Sequence, residues 1–198
     1  MINVLILGAA GEIARVATRL FLEQTDIRLT LYLRKARRLK SADASDRIRV
    51  IEGDVLDAKT LCDAMQNQDV VYANLSGNLE SQARSVIAAM QKAGVKRLIW
   101  ISSMGIYGEV SGEHFGTVLD PYRASAQIIE RSDLDYTLIR PAWLNNQDEI
   151  DYGTTRKGEM FKNPSAVVSR KSVADLVVKL TTTPDLEVRG SLGVHKAS

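Results

Sequence analysis

The 198 residues amount to one domain of ordinary size, 45% hydrophobic and 25% charged, the profile of a globular chain able to bury a full core. A net charge of +2 excludes a general polyanion-binding field, and Cys62, the single cysteine, excludes an intrachain disulfide. No run approaches the roughly 20 apolar residues of a membrane span. The opening MINVLILGAAG lacks the basic segment of a signal peptide, so a cytoplasmic protein without a membrane partner is expected.

In chain order, Ile2 to Leu7 is short and apolar on both faces, the pattern of a buried parallel strand. Gly8 to Gly11 turns the chain, and Ile13 to Glu23 carries apolar residues at helical spacing. A second strand is expected at Ile27 to Leu33 and a third at about residues 48–53. DAKTLCDAMQ reads as a helix opened by Asp57, with Cys62 a small buried hydrophobe on it. DVVYANL is a fourth strand, and LESQARSVIAAMQKAG a helix closed by Gly94. VKRLIWIS is a fifth strand, PYRASAQIIERSD a helix with Pro121 in its first turn, and DYTLIRPAW a sixth strand ending before Pro141.

Strands alternating with helices predict an α/β fold, a Rossmann-type doubly wound sheet, mainly parallel, with helices on both faces. Residues 1–198 form one such domain, with no repeat, low-complexity tract or linker. Residues 144–164 are polar and glycine-bearing, a substrate-side loop or small C-terminal excursion. AVVS is then a short strand, KSVADLVVKLTTTP a helix capped by Ser172 or Ser169, and GSLGVHK a last edge strand.

GAAGEIA, a Gly-x-x-Gly-x-x-Ala pattern, falls between the first strand and the first helix. Gly8 permits a tight turn, Gly11 a close backbone approach, and Ala14 close packing of helix on sheet. A pyrophosphate would rest on the amides of the turn and the helix start, at Ala10, Gly11, Glu12 and Ile13. The bland alternative is a structural turn with no ligand. An acidic residue normally ends the second strand of a site for the unphosphorylated dinucleotide. YLRKARRLK has none there, and Arg34 and Arg37 stand where a 2′-phosphate would be bound. NADP(H) is therefore the expected cofactor, against the alternative of a solvated basic turn.

Ligands of this architecture lie beyond the carboxyl ends of the strands. That places Asp54 and Val55 by the adenine, then Asn74, Leu75 and Ser76, then Ser102 and Ser103, then Pro141, Ala142 and Trp143 along the cleft. Any one of these polar groups, Asp54 or Ser76 for instance, can instead serve only to cap nearby backbone.

GAAGEIA, LYLR, GDVLD, ANLSG, AAMQKAGVKRLIWISS, LDYTLIRPAW and VVSRKSVADLVV, in this order and covering nearly the whole chain, resemble the NmrA-like branch of the atypical short-chain dehydrogenases/reductases. Length and C-terminal half are similar to the small NADPH-dependent flavin reductases, also called biliverdin-IXβ reductases. The resemblance implies a pocket over the nicotinamide bounded by residues 105–120 and 144–164. It also implies Ser103 as the serine beside nicotinamide and substrate. Trp143 stands where those enzymes carry a histidine, so the pocket differs.

Tyr122-x-x-Ser125-Ala126 matches the superfamily's Tyr-x-x-Ser-Lys except at the lysine. A lysine one helical turn on would lower the tyrosine pKa and make the phenol a proton donor near neutrality. Ala126 supplies no charge, and Arg123 lies on another side of the helix. Tyr122 is thus disfavoured as a catalytic group beside Ser103, and packing against the sheet is the favoured reading for it. Hydride transfer to a flavin- or quinone-like small-molecule acceptor needs no such pair. Trp143, Tyr107 or Met104 would form its aromatic floor, with core packing the alternative for Trp143. The other reading is a non-catalytic NADP(H)-binding redox sensor. Sugar-nucleotide epimerase or lyase chemistry would need a larger substrate domain. His114 is read as a solvated loop residue near the pocket and His195 as structural or exposed. Neither forms a metal cluster, and no metal or nucleic-acid partner is expected. Both a monomer and a homodimer fit the sequence.

Overall fold

A computed structural model describes residues 1–39, 45–112 and 115–197. Its centre is an eight-stranded sheet in the order β3-β2-β1-β4-β5-β6-β10-β8. The first six strands in sequence are β1 (Asn3–Leu7), β2 (Arg28–Leu33), β3 (Ile48–Glu52), β4 (Val70–Ala73), β5 (Arg97–Ile101) and β6 (Asp135–Pro141). They pair in parallel throughout, in registers such as Leu7 with Tyr32 and with Ala73. β1, β4 and β5 have almost no exposed side chain, which is why they read as continuous apolar runs rather than alternating ones.

Five helices cover the two faces. α1 (Glu12–Gln24) and α5 (Arg170–Thr182) pack on each other over one core, to which Ile6, Phe21, Ile99 and Val177 belong. α2 (Ala58–Met65), α3 (Leu79–Ala93) and α4 (Asp120–Glu130) line the other, with Leu7, Met65, Trp100 and Leu138. The helix ends follow the local chemistry. Asp57 caps α2 by accepting from Lys59 and Thr60 N–H, and its carboxyl is held below the usual range, chiefly by the Thr60 hydroxyl. Gly94 closes α3 in the left-handed region, at φ 76°. Of the two candidate serines, Ser169 caps α5, accepting from Ser172 N–H at 2.9 Å. Cys62 is half-buried against the second core.

The C-terminal third departs from expectation in three ways. β10 (Gly190–His195) is not the edge: it lies between β6, parallel, and β8 (Gly153–Arg156), antiparallel. The edge is β8, inside the stretch read as a loop. Its four residues GTTR are half exposed and polar, so a short edge strand leaves no hydrophobic alternation to read. Second, β7 (Trp143–Asn145) and β9 (Val167–Ser169) form a separate two-stranded parallel sheet. Third, β6 runs through Pro141, whose carbonyl still accepts from Met104 N–H; at the strand's end its missing N–H costs no central pairing. His195 is buried.

Candidate functional site

The order β3-β2-β1-β4-β5-β6 reverses direction between β1 and β4, and a crevice opens there beyond the strands' carboxyl ends. Gly8 sits at φ 74°, in the left-handed region, with its N–H on the Tyr32 carbonyl at 3.0 Å. A β-carbon on Gly8 would run into the Asn74 backbone carbonyl, and one on Gly11 into the Asn74 side-chain amide. The two glycines thus let the β1–α1 turn close against the end of β4. α1 then starts on Gly11 without a side-chain cap, whereas α2, α3 and α5 are capped by Asp57, Asn78 and Ser169. The first-turn amides of α1 are the donors that an anion would satisfy. Ala14 is fully buried under the turn.

Beside this turn lies a cleft of about 620 Å³ that brings together Gly8, Ala10 and Gly11 with Arg34 and Arg37 from the end of β2. Asp54 and Val55 from β3, and Asn74, Leu75 and Ser76 from β4, form its other wall. Glu12 and Ile13 do not line it. Ile13 is buried in the core, and the Glu12 carboxylate pairs with Arg170 at 2.6 Å, so only their amides belong to the helix start. Arg34, Lys35, Arg37 and Arg38 are exposed along the cleft. Their turn is held by side chains from neighbouring elements. Arg15 of α1 donates to the Arg38 carbonyl, and Ala36 N–H donates to the Glu52 carboxylate at 2.7 Å.

Asp54 has a local role: its carboxylate accepts from Leu56 N–H at 2.9 Å and its carbonyl from the Tyr32 hydroxyl at 2.9 Å. Burial, helped by the charges of Asp57 and Asp54, pushes the Tyr32 phenol up to about 12, so it remains a donor at neutral pH. Ser76 lines the cleft, and its carbonyl accepts from the Gln82 amide at 3.1 Å. Tyr32, Gln82, Arg15 and Glu52 were not singled out by sequence. Only Tyr32, next but one before Arg34 at the strand end, had a positional signal.

Asn74 and Leu75 also line a second hollow of about 240 Å³, shared with Ser102, Ser103, Tyr122, Pro141, Ala142 and Leu144. It lies where the sequence placed the acceptor. Trp143 is not in its wall. Extended chain alternates its side chains, so Ala142 and Leu144 turn inward while Trp143, 59% exposed, turns out beside Val167. Trp143 is therefore neither floor nor core packing but a rim residue, and Leu144 is the wall that sequence reading missed. Met104 is buried, and the Tyr107 hydroxyl is engaged by Glu130 at 2.6 Å and Ser191 at 3.2 Å. Neither lines the hollow.

The two serines at the end of β5 differ. The Ser102 hydroxyl is enclosed and without a partner among the described residues, whereas Ser103 is half-buried and donates to the Met104 carbonyl at 3.2 Å. Ser103 is the reachable hydroxyl. Tyr122 is half-buried at the hollow, and its hydroxyl makes no hydrogen bond among the described residues. Ala126 is 1% exposed and packs in the core with Trp100 and Leu138. Arg123 is committed to Asp120 and the Gly116 carbonyl at 2.9 and 3.0 Å. Among the described residues lining the hollow no cation takes the place of the lysine. His114 lies outside the described residues. Among the described residues no three His, Cys, Asp or Glu side chains converge as a metal site, and no helix is long and apolar enough to cross a membrane.

Residues 8–184 match the protein family described as NAD(P)H-binding. A Rossmann-fold NAD(P)-binding family protein from Shigella flexneri is 42% identical, with a TM-score of 0.89 over 99% of this chain and 94% of that one. A short-chain dehydrogenase/reductase from Veillonella parvula DSM 2008, solved in complex with NADP, is 28% identical, with a TM-score of 0.89 over 98% and 94% of the two chains. A Bacillus subtilis (strain 168) protein named an uncharacterized sugar epimerase, YhfK, is 27% identical over 89% of this chain and 86% of its own.

Proposed function

The chain belongs to the NAD(P)H-binding family, and from that premise we propose that it is an NADPH-dependent reductase acting on a flavin- or quinone-like ring without a Tyr-Lys pair. The observation that carries this reading is the composition of the acceptor-side hollow. Among the described residues its wall is Asn74, Leu75, Ile101, two serines, Tyr122, Pro141, Ala142 and Leu144, with no carboxylate, lysine or histidine. Such a wall can position a ring and exclude water, but it offers no tuned acid or base.

The residues on the other side fit a phosphorylated dinucleotide. Arg34 and Arg37 would hold the 2′-phosphate, the amides at Gly11 to Ile13 the pyrophosphate, and Asp54 and Val55 the adenine side. The NADP complex of the Veillonella relative supports the same cofactor. Bound NADPH supplies a hydride. Ser103 would orient the acceptor by its hydroxyl, Leu144 and the Tyr122 ring would pack against it, and Trp143 would cover the part that projects from the hollow. The acceptor would draw its proton from water. Epimerisation of the kind in the Bacillus relative's name would have to draw hydride from an alcohol, for which the unpaired Tyr122 gives little support.

The bareness of the hollow also favours a second reading, a redox sensor that binds NADP(H) without turnover. One experiment separates them: purified protein, NADPH, and a panel of flavin mononucleotide, riboflavin and menadione, followed by nicotinamide absorbance. Enzyme-dependent oxidation with any of them supports the reductase. NADPH binding with no oxidation above the protein-free rate removes it in favour of the sensor.

A further inference from the structure

The chain leaving the hollow after Ser103 is held by an ion pair that no local pattern announces. Glu109 and Arg140 are paired at side-chain exposures of 6% and 0%. Both Glu109 carboxylate oxygens reach back into its own loop, accepting Gly105 N–H at 3.0 Å and Tyr107 N–H at 2.9 Å. Its carbonyl accepts Phe161 N–H at 2.8 Å. One residue thus ties the segment after β5 to the segment after β8, the two stretches expected to bound the acceptor. Arg140 is fixed in turn by Ser191, whose hydroxyl accepts from Nε at 3.0 Å, and its guanidinium lies 5.1 Å from the centre of the Tyr107 ring. Just upstream, Ser102 N–H donates to Ile139 and Met104 N–H to Pro141, at 2.7 and 3.2 Å. Glu109 takes the next amide in line.

Burying an ion pair is seldom the most stabilising way to fill a core, since desolvation offsets most of the attraction. What this pair supplies is one conformation for residues 103–109. Pre-organisation of that kind is what an acceptor site needs and what a merely stable loop does not.

We infer that Glu109, held by Arg140, is a positioning residue for the acceptor site: it fixes the backbone that follows Ser103 and joins it to the segment after β8 at Phe161. This rests on the hydride-transfer reading. Glu109→Gln puts an NH₂ group where one carboxylate oxygen now accepts a backbone N–H. Arg140→Met removes the other charge. The pair Glu109→Gln/Arg140→Met leaves no unpaired buried ion, so it keeps the test open if either single variant fails to fold.

Two quantities are measured on the wild type and the variants: amide exchange at Gly105 and Tyr107 without any acceptor, and steady-state kinetics with NADPH and menadione or flavin mononucleotide. Exchange at these two amides is expected to rise about tenfold or more in the double variant, while that in β1 and α1 is unchanged. The acceptor kcat/KM is expected to fall about tenfold or more, mostly through KM, and NADPH affinity to stay within about twofold because its cleft shares no partner with the pair. A double variant with wild-type acceptor kinetics and protected amides overturns the inference. So does a loss of NADPH affinity as large as the loss on the acceptor, which would mark general damage. If the wild type itself turns nothing over while the exchange result holds, the reductase reading falls and the loop-fixing role of Glu109 stands.

Discussion

On the side of β1, β2 and β3 the crevice is made of segments close in sequence to their strand ends, a glycine turn after β1 and a basic turn after β2. Gly8 and Gly11 matter for what they lack, and the anion-facing donors are main-chain amides at the start of α1. On the side of β5 and β6 it is made of side chains that meet from afar. Leu144 and Ser103 line one hollow from different elements, and Glu109 finds Arg140 at a sequence separation of 31. The first kind of site tolerates little change in the chain and has to look much the same wherever a dinucleotide is bound. The second can be rebuilt one residue at a time, which would suit a part that chooses the acceptor in the proposed reaction.

That contrast can be broken by variants, taken from the largest expected effect. Ala126→Lys restores the missing lysine of the acceptor side in name only. The position is 1% exposed in the core, so a buried ammonium should cost roughly 3 kcal/mol of stability. The melting temperature should drop with no gain in ketone reduction; a stable variant with new ketoreductase activity would show that a lysine there reaches the cleft after all. Gly8→Ala strikes the backbone side, where the β-carbon meets the Asn74 carbonyl and φ is 74°. NADPH and NADH affinity should both fall about 100-fold, read by calorimetric titration. Equal loss of both nucleotides is the signature of the turn, and an unaffected titration would mean that the turn does not hold the phosphates.

Arg34→Glu is the next step down and should discriminate. NADPH affinity should fall about 30-fold while NADH changes by less than about threefold. Similar losses for both would move the 2′-phosphate away from the basic turn. Tyr122→Phe should do least. With no lysine in the hollow's wall and no hydrogen bond on the phenol among the described residues, kcat should change by less than about twofold. A loss of tenfold or more would restore Tyr122 as a proton donor.

The same contrast explains what could be read from residues alone. The parallel sheet, the helices on both faces and the glycine turn were legible because each is written locally, as an apolar run, a helical period or a glycine at a fixed place. The basic turn after β2 was legible for the same reason: four cations follow one strand with no carboxylate among them. What holds that turn, Arg15 and Glu52, was not, since each comes from a different element. Trp143 was placed in the cleft because it ends the right strand, but alternation along β7 turns it outward and Leu144 inward. β8 escaped notice because an edge strand of four polar residues has no pattern to show, and missing it made β10 look like the edge. Arg140 and Glu109 sit in stretches that read as strand and loop, and nothing near either one signals the other.

In the proposed reaction hydride passes between rings held side by side without help from a protein proton donor. The most direct test is an isotope measurement on the wild type, with NADPH deuterated at the transferring carbon, a flavin or quinone acceptor, and the reaction run in light and in heavy water. A normal primary isotope effect from the cofactor label is expected, together with a solvent isotope effect that is small and unchanged in Tyr122→Phe. A large solvent isotope effect that disappears in Tyr122→Phe would contradict the proposed reaction, because the phenol would then be handing over the proton.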